Sequence, residues 1–191
     1  MALQDVNTLK KGIKIKMDGT PFAVTDFSFT KPGKGQAVYR CKIKNMITGS
    51  TSDKVYRSGE KFEKADLGTK NLVYSYVDAN DYVFMDDDYN QLYLSETVIG
   101  DAKYFLIEDM ECEVLFFEDS PIEVSLPNFV EKEITATEPG VRGDTATNVT
   151  KPASIDTGYE IQVPIFINEG DVIKIDTRTG DYSERVSKAS V

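Results

Sequence analysis

The residue types that perform most protein chemistry are scarce in this chain of 191 residues, which has no His and carries Cys41 and Cys112 as its two cysteines. Without His the usual general base near neutral pH is missing, and so is the commonest zinc ligand. There is no Ser-His or Cys-His pair, no phosphate-cradling Walker A loop and no Cys/His cluster. Cys41 and Cys112 lack a metal-ligand spacing and read as reduced core thiols. Asp86-Asp87-Asp88 is the one dense carboxylate run, but Tyr89-Asn90 follows it in place of the glycine of a calcium loop, so it reads as a solvated turn. Asn148-Val149-Thr150 fits a glycosylation pattern that a cytosolic chain would not use. The expectation is a protein with no catalytic residues, no metal and no cofactor, and therefore not an enzyme.

One lysine stands out by its setting. In Lys31-Pro32-Gly33-Lys34-Gly35-Gln36, Pro32 fixes a backbone dihedral and the two glycines permit a tight reversal. The segment is a loop, because proline removes a ladder donor and glycine weakens a strand. Such a loop holds a single ammonium away from the body of the protein, where it can donate to phosphate as a point charge. The plain alternative is a hairpin tip with a solubilising lysine, and the distribution of charge weighs against it. The net charge is -10, yet residues 1–64 hold 13 Lys and Arg against 6 Asp and Glu, a balance of +7. Residues 65–128 hold 2 against 15, or -13, and residues 129–191 hold 7 against 11, or -4. A basic first third is suited to phosphate, and an acidic middle third is suited to staying clear of it or to facing a basic protein.

The elements that must carry the loop are strands. Ile13 and Ile15 alternate with Lys14 and Lys16, and Tyr39, Cys41 and Ile43 alternate with Arg40, Lys42 and Lys44, a period of two that buries one face and leaves a basic outer one. Asp18-Gly19 marks a hairpin turn between strands at 13–17 and 22–24. Phe27 and Phe29 lead into the loop, and Ala37 opens the next strand. These segments predict a small SH3-like barrel over 1–64. Short strands at 72–77, 82–85, 91–94, 113–117 and 122–126, with a short helix at 101–109, predict an OB-type barrel over 65–128. After Leu126-Pro127-Asn128, strands at 129–135, 159–164 and 172–176 and in the tail predict a second OB-type barrel over 129–191. The stretch 138–157, rich in Gly, Thr, Pro and Ala, reads as a long loop. Within it Arg142 stands beside Gly143, Asp144 and Thr145, and near the end Tyr182 and Arg185 follow a Gly180-Asp181 turn; these two either touch RNA or merely complete the last strand. No apolar run approaches the roughly 20 residues of a membrane span, and the first residues lack a signal-peptide core, so a cytoplasmic protein is expected.

In combination these segments resemble the bacterial elongation factor P family across essentially the whole chain. The matching residues are Lys31 to Ala37, Pro127-Asn128-Phe129-Val130, Gly143-Asp144-Thr145, and the spaced pattern Lys151, Ala153, Gly158, Val163-Pro164 and Gly170. The tail from Asp176 to Tyr182, with Arg185-Val186, fits as well. The resemblance implies an all-β fold, an SH3-like (KOW-like) domain followed by two OB-fold domains in an L-shaped outline like that of tRNA. It implies a factor that binds the 70S ribosome between the P and E sites and relieves stalling at consecutive prolines. Lys34 would then point to the CCA end of the P-site peptidyl-tRNA, with Lys31, Pro32, Gly33, Gly35 and Gln36 around it, and Arg40 and Lys42 would lie beside RNA, rRNA included. Gly143, Asp144 and Thr145 would approach the small subunit and the E-site mRNA codon. The sequence flanking Lys34 looks like that of the subclass whose tip lysine receives a β-lysyl group from a modifying enzyme. The factor would act as a monomer and away from membranes. The sequence departs from the family's glycine-rich form of the 144–151 loop at Asn148-Val149-Thr150 and runs on as Ser187 to Val191. Two other readings stand beside this one: a paralogue of the family with another ribosomal task, and an OB-fold protein that binds single-stranded RNA, against which the acidic middle third argues.

Overall fold

The computed structural model describes residues 3–33, 35–140 and 149–189. The first sheet contains β1 (Leu3–Asp5), β2 (Lys14–Met17), β3 (Thr20–Thr30), β4 (Val38–Asn45), β5 (Thr51–Arg57) and β6 (Lys61–Lys64), in the spatial order β1-β6-β2-β3-β4-β5. Asp18 and Gly19 both take positive φ, 50° and 75°, the primed-turn geometry that matches strand twist in a two-residue hairpin. Along β4 the side chains alternate as the sequence predicts, with Tyr39, Cys41 and Ile43 buried and Arg40, Lys42 and Lys44 exposed. The buried set closes a core with Val6, Leu9, Ile15, Val24, Tyr56 and Phe62.

The second sheet holds β7 (Leu67–Asp78), β8 (Asp81–Met85), β9 (Gln91–Ser95), β10 (Glu111–Phe117) and β11 (Ser120–Ser125), in the order β11-β10-β7-β8-β9. The helix expected at 101–109 lies earlier and is shorter. A single turn, α1 (Glu96–Ile99), passes into a 3-10 segment at Gly100–Tyr104. Gly100 at φ 55° ends the α turn, and backbone N–H groups of Phe105 and Leu106 both return to the Ala102 carbonyl.

The third sheet is built from β12 (Phe129–Thr137), β13 (Thr150–Ile155), β14 (Glu160–Pro164), β15 (Val172–Asp176) and β16 (Asp181–Ser187), ordered β14-β13-β12-β15-β16. Its strand β13 corrects the reading of 138–157 as one loop. Pro152 sits inside β13, opposite Gln162 of β14, and its carbonyl accepts the Thr137 hydroxyl at 2.9 Å. The pairing of β13 with β12 runs from Ile155 to Ala153 and stops before Pro152, so the ring falls where the inner ladder needs no donor.

By Cα packing the chain forms two compact units, one running to Lys70 with Leu115–Glu123 and one combining Asn71–Val114 with the residues from Val124 onward. In the first, Lys16 reaches Glu118 at 2.5 Å and Glu63 at 3.8 Å. In the second, Phe105 belongs to the core of the third sheet with Ile134, Ile155, Ile161, Val163, Ile173 and Ile175, and its ring meets Tyr159 edge-on at 5.0 Å. Lys132 occupies a core-side position of β12, where its ammonium donates to the Leu106 carbonyl and to Asp156, each at 3.1 Å. Lys151 is likewise buried and donates to the Glu138 carbonyl at 2.6 Å.

The turn between β15 and β16 is closed by Asp176. Its carboxylate accepts from the Arg178 backbone N–H at 3.0 Å and the guanidinium Nε at 2.9 Å, and its own carbonyl accepts from Gly180. Gly180 has φ 77°, and a Cβ there would meet the Tyr159 hydroxyl at 2.3 Å, so only glycine fits. The bond from the Arg178 side chain, before any other cause, holds Asp176 at a pKa of about 2, below the ordinary 3.8. A carboxylate lowered in the folded state contributes stability that is present above its unfolded pKa and is lost as pH falls through the folded one. The loss of urea resistance between about pH 5 and about pH 2 is therefore expected to be smaller in Asp176→Asn than in the parent. Because Arg178 is largely exposed the difference is modest, and equal losses in the two proteins would refute the assignment.

Candidate functional site

β3 and β4 form a hairpin whose last paired residues are Thr30 and Val38, leaving 31–37 as its loop. β2 pairs with β3 as far as Ala23, and the Val24 N–H and carbonyl still bond Ile13 and Gly12, so it is beyond Val24 that β3 is paired with β4 alone among the described residues. At the loop the Gly35 N–H donates to the Pro32 carbonyl at 3.1 Å, and a Cβ on Gly35 would lie 3.2 Å from Pro32 Cγ, which favours glycine at this close approach. Lys31, Pro32, Gly33, Gly35 and Gln36 are all exposed. The Ser58 N–H donates to the Ala37 carbonyl at 3.1 Å and ties the loop's exit to the end of β5. Lys34 itself lies outside the described residues, as do Arg142, Gly143, Asp144, Thr145 and Asn148.

The outer face of the hairpin is cationic in the way the alternation predicts. Arg40 stands in register between Ser28 and Val55, and Lys42 between Asp26 and Asp53. A shallow groove crosses these side chains. Among the described residues neither Arg40 nor Lys42 forms an ion pair, and the Asp26 and Asp53 carboxylates share the groove with them. On the opposite face Phe29 packs against Tyr39 with centroids 5.0 Å apart and Phe27 packs against it at 6.3 Å. The Tyr39 hydroxyl donates to the Asn7 side chain, a link that no sequence pattern announces.

The structure does not bring Tyr182 and Arg185 to this hairpin; both lie on β16 of the third sheet. Tyr182 packs against that sheet's core. The Arg185 guanidinium lies over the Phe166 ring at 5.1 Å and donates to the Phe166 carbonyl at 3.4 Å and to Asp171 at 3.5 Å. Their contacts are those of a last strand closing its sheet. Asp86 organises its own turn, its Oδ1 accepting from the Asp88 and Asn90 N–H groups at 2.9 Å. Cys41 and Cys112 are buried and free, and burial pushes the Cys112 thiol up to about 12, where it is not a nucleophile. Among the described residues no group of three or more His, Cys, Asp and Glu is placed to hold a metal ion, and no helix is long and apolar enough to cross a membrane.

Three small antiparallel sheets in series, the first offering a cationic hairpin, define a modular all-β protein of the KOW and OB type. Family models match in that order: "Elongation factor P (EF-P) KOW-like domain" over residues 5–62, "Elongation factor P (EF-P) OB domain" over 67–124, and "Elongation factor P, C-terminal" over 122–185. The chain belongs to the elongation factor P family of translation elongation factors. It is 48% identical to elongation factor P of Syntrophus aciditrophicus (strain SB), covering 96% of this chain and 99% of the relative. It is 50% identical to elongation factor P 2 of Geobacter sulfurreducens, covering 95% and 97%. Among solved structures, a eukaryotic translation initiation factor 5A from Methanococcus jannaschii shares the fold over 65% of this chain and 92% of its own, at a TM-score of 0.56 and 22% identity.

Proposed function

We propose that this factor binds the 70S ribosome between the P and E sites and stimulates peptide-bond formation where consecutive prolines stall it. The observation that carries the reading is the 31–37 loop at the end of an edge hairpin whose outer face presents Arg40 and Lys42. Proline is a poor nucleophile here because its ring constrains the nitrogen and the chain around it. Holding the CCA end of the peptidyl-tRNA in reactive geometry lowers the entropic part of that barrier, and the ribosome performs the chemistry. Lys34 is the positioning group, the factor itself is not an enzyme, and Arg40 and Lys42 contact phosphate. Gly143, Asp144 and Thr145 approach the small subunit and the E-site codon. Tyr182 and Arg185 have the weaker claim to RNA, since their rings and donors are engaged within the third sheet. The factor works as a cytoplasmic monomer of three domains, 1–64, 65–128 and 129–191.

Lys34 is further proposed to carry a β-lysyl group, added by a dedicated enzyme, that extends its cationic reach between phosphates and bases. Mass spectrometry of the protein from its native cell tests this. Added mass is expected on the peptide bearing Lys34 and on no other lysine; a bare Lys34 in growing cells would refute the modification and leave the rest of the reading to the unmodified side chain.

A further inference from the structure

We infer that Phe29, Tyr39 and Asn7 form a brace that fixes the approach to the 31–37 loop, and that Phe29 is a positioning residue for the reaction this factor promotes. The inference rests on the reading of Lys34 as the positioning group.

Beyond Val24, β3 has a partner on one side only among the described residues, and from Asp26 its register with β4 is shifted by a bulge. An edge strand of this kind bends easily, yet it leads into the loop that must be placed accurately. Aromatic side chains join its end to the body of the sheet. Phe29 lies directly opposite Tyr39 in register, and the rings are tilted by 51° with centroids 5.0 Å apart. Tyr39 is 7% exposed and donates its hydroxyl to Asn7. Asn7 belongs to the 3-10 turn Val6–Thr8, which is held by the fully buried Val6 and by Asp5, whose carboxylate accepts the Asn7 N–H at 2.9 Å. A continuous line of contacts thus runs from the core to a residue two positions before Lys31.

Phe29 is 52% exposed, so its ring adds little to the core. An exposed edge strand is ordinarily safer with a charged or polar side chain there. What the ring does provide is a rigid cross-strand contact one pair before the loop begins.

Reactions promoted by positioning are sensitive to displacements of about 1 Å, which cost up to about a hundredfold. Loosening the brace should therefore lower the maximal rate and leave ribosome affinity alone, since the basic face is untouched. The test is the rate of Pro-Pro bond formation on purified ribosomes, titrated with the native full-length factor and with Phe29→Leu, Phe29→Tyr, Asn7→Ala and Lys34→Ala. Phe29→Leu and Asn7→Ala are expected to lower the rate at saturation about three- to tenfold, with the half-saturating concentration within about twofold of the parent. Phe29→Tyr, which keeps the ring contact, should restore the rate.

A saturating rate for Phe29→Leu equal to the parent's overturns the brace, and so does an effect confined to the half-saturating concentration. Lys34→Ala separates the two claims. If it is slow while Phe29→Leu is not, the brace alone fails; if Lys34→Ala is as fast as the parent, the reading on which the brace rests fails with it.

Discussion

Replacing Lys34 by alanine is expected to slow Pro-Pro bond formation at saturating factor by about ten- to hundredfold, while leaving the fold intact. The size follows from the role. A group that donates to the CCA backbone only when the peptidyl-tRNA is correctly placed acts on the barrier more than on binding, so its loss appears in the maximal rate. On the proposed reading, binding rests on the cationic face, where Arg40 and Lys42 stand clear of ion pairs among the described residues and remain in the variant. Lys34→Arg separates charge from modification, because arginine keeps a cation but cannot accept a lysyl group on an amine. It should fall between the parent and the alanine variant if the adduct matters. A Lys34→Ala factor that is normal in rate and altered only in the concentration required would show that the loop tethers and does not position.

The second large effect is on stability. Phe105→Ala is expected to cost about 3–5 kcal/mol, because the ring is deleted from a closed core and its neighbours cannot collapse fully into the space. Phe105 is 3% exposed and packs with Ile134, Ile155, Val163 and Ile173, although it lies in the chain between the strands of the second sheet. The neighbouring contacts cannot substitute for it: Tyr104 meets Tyr159 at 5.3 Å, and the Thr157 hydroxyl donates to the Tyr104 carbonyl at 2.9 Å. Urea unfolding followed by tyrosine fluorescence checks this cleanly, since the chain has 10 Tyr and no Trp. Tyr89, 84% exposed, is the control, and its alanine variant should lie within about 0.5 kcal/mol of the parent. A Phe105→Ala protein as stable as the Tyr89→Ala one would mean that Phe105 is not a core residue.

Much of this architecture is legible from residue types because strands here bury one face. The alternation of Tyr39, Cys41 and Ile43 with Arg40, Lys42 and Lys44 predicts both the core and the basic outer surface, and Asp18-Gly19 predicts the turn. Position 152 misleads, because proline ordinarily excludes a strand paired on both sides; β13 tolerates it where the ladder to β12 has already ended. The helical turn is misplaced by five residues because the apolar spacing of 102–106 also suits a 3-10 segment, and only the left-handed Gly100 separates the two.

Lys132 and Lys151 are both buried, each donating to a backbone carbonyl distant in sequence, Leu106 and Glu138, and no local pattern marks them. The link from Tyr39 to Asn7 crosses 32 residues of sequence, and no local pattern carries it. The candidate loop was legible for the opposite reason. Its proline, glycines and lysine are all local in sequence, and the charge of residues 1–64 supplies the context that a short motif lacks.

The most direct test of the account is peptide synthesis on purified ribosomes from two messages that differ only in a run of consecutive prolines, with and without this factor. The factor is expected to speed the proline-bearing message and leave the other unchanged, and Lys34→Ala to abolish most of the difference. Equal stimulation of both messages, or none of either by the modified protein from its native cell, would contradict it.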